Sequence, residues 1–274
     1  MKSETPLSTP YSNRFQQKTD VESYEAQEYG SDSYSSCIWR LQQPVLQDIL
    51  VATSKEAGAK LRLLDFACGS GRILSFVEPF VDSAEGVDIS AGMVELARQK
   101  CRKSVLRVGD ILREPELLRS PYDIITSFRF LLNVEDEIRR KALHRLREVI
   151  RTPGGRLIVN VHGNSRSLRH PAIVWNRWRQ RGGSRGQPAE IMLNEMSLSQ
   201  TRRLLAAAGF EVVQLLGFGV MPPTLYRTPL RGLARAVDSF FAARRWCPAW
   251  SVDLLLVCQP KADRGSDTKS GTDD

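Results

Sequence analysis

The chain has 274 residues, 42% of them apolar and 26% charged, which is enough for one α/β domain with a substantial core. No apolar run approaches the length of a membrane span, and Met1-Lys2-Ser3-Glu4-Thr5-Pro6 lacks the apolar stretch of a signal peptide, so a cytoplasmic protein with no integral membrane segment is expected. The net charge of +8 is uneven: residues 24–150 hold 18 Lys/Arg against 19 Asp/Glu, while residues 151–260 hold 15 Arg, no Lys and 5 acids. That arginine excess disfavours basic partners and suits either bidentate contact with carboxylate or phosphate, or a general positive field.

Residues 1–20, rich in Ser, Thr, Pro and Gln, read as a disordered tail, and so do residues 261–274. One domain is expected between them, over 21–260. Tyr24, Tyr29, Tyr34, Trp39 and Arg40 precede the first strand, Leu61–Ala67, which ends in glycines. Ile73, Leu74 and Val77 follow at helical spacing. Ala84–Ile89 is a second strand, and Ser90 caps a helix carrying Met93, Leu96 and Ala97. Val105–Val108 and Tyr122–Phe128 supply strands three and four. A charged helix with Ile138, Leu143, Leu146 and Ile150 on its inner face leads through Pro153-Gly154-Gly155 into strand five, Arg156–Val161. A helix from about Ser199 to Ala208 stops at Gly209, and Glu211–Leu216 and Ser251–Cys258 complete seven strands. Such alternation predicts a Rossmann-like α/β fold, with a mostly parallel sheet and helices on both faces. The five cysteines, at positions 37, 68, 101, 247 and 258, form no CxxC pair and sit among apolar neighbours. Buried thiols are expected, with no disulfide framework and no metal.

The chemistry concentrates in Asp65-Phe66-Ala67-Cys68-Gly69-Ser70-Gly71-Arg72, where a strand runs into a tight glycine turn that opens a helix. Gly69 and Gly71 lack the Cβ atoms that would block a ligand, and amides at the helix start are expected to point outward. The third glycine of a dinucleotide fingerprint would fall at Leu74 and is absent. Asp65 would repel a pyrophosphate but suits a cationic ligand.

On these residues the chain resembles the class I S-adenosylmethionine (SAM)-dependent methyltransferases, whose first motif is (D/E)xxxGxG. The resemblance runs in register through Asp88 at the end of strand two, Gly109-Asp110-Ile111 at the end of strand three, Tyr122-Asp123-Ile124-Ile125, and Thr152-Pro153-Gly154-Gly155-Arg156. It covers about residues 60–162. It implies SAM as cofactor, with Asp88 on the ribose hydroxyls, Asp110 on the adenine amino group and Ile111 packed on the ring. Asp65, Ala67, Cys68, Gly69, Gly71, Ile89, Met93 and Ser127 complete the implied cofactor set. Arg40 is a candidate for the cofactor carboxylate, because residues 21–59 take the position of a lid segment in that family. The cofactor core is then 60–165, with substrate-side insertions at 166–198 and 217–250.

His162 follows strand five and offers an imidazole to take a proton from a hydroxyl; its alternative is a hydrogen bond to a loop carbonyl. Asn160 and Asn164 flank it, either to orient it or to meet a substrate. Arg129 follows strand four, where it either binds an anionic substrate or forms a surface ion pair. No Asn/Asp-Pro-Pro-aromatic loop stands there, which argues against methylation of adenine or cytosine amines. His144 and His170 read as surface residues. Trp175 and Trp178 interleave with Arg177, Arg179, Arg181 and Arg185, a pattern for stacking bases or for packing an insertion helix. Leu233, Val237, Phe240 and Phe241 with Arg231, Arg235, Arg244 and Arg245 read as a basic amphipathic helix, with core, a dimer surface or peripheral contact with an anionic membrane as its outlets. The expected activity is O-methylation of a small anionic or sugar-containing metabolite. RNA methylation through the arginine-rich half and non-catalytic SAM binding are the alternatives.

Overall fold

The computed structural model describes residues 33–58, 60–119, 121–167, 170, 195–242, 244 and 248–262. In chain order these form α1 (Tyr34–Ala57), β1 (Arg62–Phe66), α2 (Arg72–Val77), β2 (Ser83–Asp88), α3 (Ala91–Lys100), β3 (Val105–Val108), β4 (Ile124–Phe128), α4 (Asp136–Val149), β5 (Arg156–Val161), α5 (Leu198–Ala207), β6 (Phe210–Phe218), α6 (Arg231–Phe241) and β7 (Asp253–Pro260). Ser90 accepts from the Met93 amide at 3.2 Å and so starts α3, and Gly209 at φ +81° follows α5, as the sequence predicts.

The seven strands form one sheet in the order β3-β2-β1-β4-β5-β7-β6. Neighbours pair in parallel from β3 to β5, while β7 runs antiparallel to both β5 and β6. Strand order reverses between β1 and β4, and in open sheets of this kind ligands settle in the crevice outside the carboxyl ends at that point.

Alternate residues of the central strands feed two cores. On one face Leu64, Ile125, Leu157, Val159 and Leu256 pack with Leu143 and Leu146 of α4 and Leu205 of α5. On the other, Leu63, Ile124, Ile158 and Leu255 pack with Trp39, Leu46 and Leu50 of α1 and Leu74 of α2. The described part of the expected lid segment, α1, is therefore a layer of the core. The four described cysteines, Cys37, Cys68, Cys101 and Cys258, are free and buried. Most of the 166–198 insertion lies outside the described residues, including Trp175, Trp178, Arg177, Arg179, Arg181 and Arg185. So do both expected tails apart from Lys261 and Ala262. Among the described residues no helix is long and apolar enough to cross a membrane.

Candidate functional site

The carboxyl ends of β1 to β5 gather most of the residues that the sequence singles out. Asp65 is 1% exposed near the end of β1. The Thr126 hydroxyl of β4 donates to its Oδ1 at 2.6 Å, while the buried Oδ2 has no hydrogen-bond partner of normal geometry. Burial pushes the Asp65 carboxyl up to about 7, against the pull of the Thr126 hydrogen bond and the Arg72 charge. A carboxylate held this way is costly unless a cation reaches it.

The turn after β1 is wound tightly, with Ala67, Gly69 and Gly71 at φ +55°, +52° and +76°. Here the structure corrects one expectation. A Cβ on Gly69 would meet nothing within 4 Å, but one on Gly71 would stand 2.8 Å from Ala97 Cβ. Gly69 therefore leaves room for a ligand, whereas Gly71 lets α3 approach the turn. Three turn amides ahead of α2 are taken up within the protein. Cys68 N donates to Val87 O at 3.1 Å, Gly71 N to Cys68 O at 3.0 Å, and Gly69 N to Asp88 Oδ2 at 2.8 Å.

Asp88, half-buried at the end of β2, also accepts from Ser90 N at 2.9 Å through Oδ1. Burial still pushes its carboxyl above the usual range despite those bonds. Each oxygen keeps a lone pair for a further donor. Beside it Ile89 is 54% exposed, an uncovered apolar side chain at a polar edge. Asp110, half-buried after β3, turns its Oδ1 to the Leu112 amide at 2.9 Å and lies 3.6 Å from Arg113 Nε. Ile111 is only 2% exposed and belongs to the core with Val87 and Leu118, so it is not open to pack on a ring. Met93 and Ser127 are buried, and Ser127 Oγ has no hydrogen-bond partner. Cys68 is buried too, and burial raises its thiol well above the ordinary value, so it stays neutral.

Arg129 sits just beyond β4 in the left-handed region, at φ +60°, an uncommon conformation for a residue with a side chain. Its guanidinium reaches Ser35 Oγ of α1 at 3.3 Å. His162 follows β5 with its ring half-buried and Nδ1 buried. Its neighbours are structural. Asn164 donates to the carbonyls of Pro248, Ala249 and Ser251 at 3.0–3.3 Å, and Asn160 donates to Asp253 Oδ1 at 2.8 Å. Arg40 is exposed on α1. His144 is exposed, as expected, but His170 is half-buried and pairs through Nδ1 with Glu195 Oε2 at 3.0 Å.

The sequence reading missed Asp253, Gln42 and Arg72. Because β7 is antiparallel, its first residue reaches the same edge as the last residues of β5. Asp253 accepts there from Asn160 and, at 3.5 Å, from Gln42 of α1. Burial raises its carboxyl, against the Asn160 bond and the charge of Arg129. Arg72 lies 4.9 Å over the Trp39 ring and bears electrostatically on both Asp65 and Asp253. No periodicity marks these residues; the antiparallel direction of β7 brings Asp253 to the site, and α1 and α2 bring Gln42 and Arg72. A buried carboxylate oxygen lacking a partner, open space above Gly69 and a bare Ile89 together fit a ligand with a cation, hydroxyls and a flat apolar ring, which SAM has.

A family model described as a methyltransferase domain matches residues 38–215. A ubiquinone biosynthesis O-methyltransferase from Pelagibacter ubique (strain HTCC1062) is 24% identical over 98 residues, 35% of this chain and 41% of that protein. The chain thus matches less than half of that relative's length. Among solved structures, magnesium protoporphyrin IX methyltransferase from Synechocystis PCC 6803, with bound SAH, aligns with TM-score 0.55 at 16% identity over 89% of this chain and 99% of that one. A SAM-dependent methyltransferase from Thermotoga maritima, described as a possible histamine N-methyltransferase, aligns with TM-score 0.56 at 16% identity over 92% and 100%. At these identities the structural likeness speaks for the fold alone.

Proposed function

The chain belongs to the methyltransferase-domain family and is a class I SAM-dependent methyltransferase, and on that premise we propose that it methylates a hydroxyl of a small anionic or sugar-containing molecule. One arrangement carries the reading: the sheet edge that holds Asp65, Asp88 and Asp110 also holds Arg129 and His162. Asp65 faces the cofactor ammonium, Asp88 accepts from the ribose hydroxyls, Asp110 accepts from the adenine amino group, and Ile89 covers the ring. Gly69 leaves the backbone open to close approach. When bound, SAM supplies a methyl group made electrophilic by its sulfonium.

The protein's part is alignment and proton removal. Arg129 holds the acceptor's anionic group, and its uncommon backbone conformation fixes where the guanidinium starts. His162 takes the hydroxyl proton through Nε2, since Nδ1 is buried. The Pelagibacter relative, named as an O-methyltransferase, supports oxygen as the acceptor atom. Buried free thiols suit a reducing compartment, and we place the enzyme in the cytoplasm.

Methyl-labelled SAM offered with a panel of hydroxyaryl carboxylates, glycosides and sugar phosphates tests this reading. Label should enter an oxygen of the acceptor, His162→Ala should lower turnover roughly 10²–10⁴-fold with SAM affinity unchanged, and Arg129→Ala should raise the acceptor KM. Label taken up only by amines, thiols or RNA would contradict the reading, as would His162→Ala with parental turnover and pH profile.

A further inference from the structure

From Val212 to Val252 the sequence has one acid, Asp238, against Arg227, Arg231, Arg235, Arg244 and Arg245. That acid does not reach the surface. Asp238 is 0% exposed and accepts from the amides of Val220 and Met221 at 2.7 and 2.9 Å and from the Tyr226 hydroxyl. It fastens α6 to the chain leaving β6, and the described surface of this segment carries positive charge only. Arg227, Arg231 and Arg244 are all exposed.

The same surface is apolar where a helix facing water should be polar. Leu230, Leu233, Val237 and Phe240 recur three, four and three residues apart, which keeps them on one side of α6. Ala234 and Asp238, on the neighbouring side, face the protein and are buried. Leu233 is 61% exposed and Phe240 59%, and Leu230 is exposed with them. The Arg244 guanidinium lies 4.3 Å over the Phe240 ring, so a cation covers the exposed aromatic. Trp250, also exposed, stands in the turn that enters β7, at the edge where β6 ends. The sequence pattern left core, dimer surface and membrane as outlets for this stripe, and burial removes the first.

We propose that α6 and its flanks dock on the surface of an anionic lipid bilayer. Leucine and phenylalanine side chains enter the acyl boundary while arginines meet the headgroup phosphates. Charge decides against a second copy of the chain. A twofold contact through this face would bring the arginines of two copies together, and the segment from Val212 to Val252 has no exposed acid to answer them. A nucleic acid would satisfy the arginines and leave Leu230 and Leu233 uncovered. Because α6 follows the carboxyl end of β6, docking turns the edge that carries Arg129 and His162 toward the lipid.

Flotation of the full chain with two kinds of vesicle tests the proposal: phosphatidylcholine alone, and phosphatidylcholine mixed with phosphatidylglycerol. Binding is expected to the anionic vesicles and not to the neutral ones. The pair Leu233→Ser and Phe240→Ser should weaken it roughly tenfold or more, and the pair Arg231→Gln and Arg244→Gln by roughly tenfold, with the remainder less sensitive to salt than the parent's binding. Calorimetric SAM binding should equal the parent's in both variants, which shows that they are folded. Equal vesicle binding by parent and variants overturns the proposal. So does a dimer that these substitutions dissociate, or binding to RNA in place of vesicles. Failure to bind vesicles with SAM binding intact overturns the docking surface alone and leaves the proposed methyl transfer standing.

Discussion

The two edges of the one sheet treat their acids in opposite ways. At the edge where the parallel strands begin, Glu78, Asp82 and Asp123 are each answered. Glu78 accepts from the amides of Arg102, Lys103 and Ser104 at 3.0–3.1 Å and from the Ser104 hydroxyl at 2.7 Å. Burial alone would raise its carboxyl, but those four bonds outweigh it and hold it below the usual range. Asp82 accepts from the Leu61 amide, and Asp123 from the Arg62 amide and Arg151. Where the parallel strands end, Asp65 keeps an oxygen without a partner, and burial raises Asp65, Asp88 and Asp253 alike. One edge uses its carboxylates to hold loops. The other leaves Asp65 a buried oxygen that a ligand can answer and keeps its carboxyls raised by burial, as a binding site does and a merely polar surface does not.

Substitutions that separate the two edges sharpen the contrast. The largest stability effect belongs to Glu78. Glu78→Ala leaves three backbone amides without their acceptor and should cost on the order of 3 kcal/mol in denaturant unfolding. SAM affinity of the folded protein should stay at the parental value. At the other edge, Asp88→Ala should weaken SAM binding by about 1.5–3 kcal/mol in calorimetry, since hydrogen bonds to a charged acceptor are being lost. Its effect on unfolding should be smaller than that of Glu78→Ala, because the Gly69 and Ser90 amides lose a partner, against three amides and a hydroxyl at Glu78. If Asp88→Ala costs stability and spares SAM, Asp88 belongs with Glu78 and the contrast fails.

The comparison also separates what the sequence could tell from what it could not. Period and punctuation placed each strand within a few residues, because Leu63 and Leu64 must feed opposite cores and Gly209 must follow a helix. The gathering of Asp65, Asp88 and Asp110 at one sheet edge was legible because each stands at or just beyond a strand end in a motif of the family the chain resembles. Asp253 was not, because only the antiparallel direction of β7 carries it to the site. Gly71 was misread for a related reason. Its missing Cβ makes room for Ala97, a contact with another helix that the turn's own sequence does not encode. Ile111 follows the motif yet points into the core, since position along a strand end does not say which way a side chain faces.

Asp65 gives the sharpest test. Its folded pKa of about 7 lies above the ordinary 3.8, so the folded protein holds this proton more tightly than the unfolded chain does. Ionising it therefore subtracts stability, fully above about pH 7 and hardly at all near pH 4. Asp65→Asn should raise the unfolding midpoint of the ligand-free protein above neutrality, with the gain shrinking as pH falls.

SAM binding should move the other way, because the cofactor ammonium needs the carboxylate. The measurement to make is the SAM dissociation constant from about pH 8 down to about pH 5, for the parent and for Asp65→Asn. The parent should lose affinity below neutrality, approaching tenfold per pH unit as one proton competes with the ligand. Asp65→Asn should bind weakly throughout, with that slope much reduced. Parallel pH profiles at equal affinity would show that the unpartnered oxygen of Asp65 is not where the cofactor's charge is met, and would contradict the account.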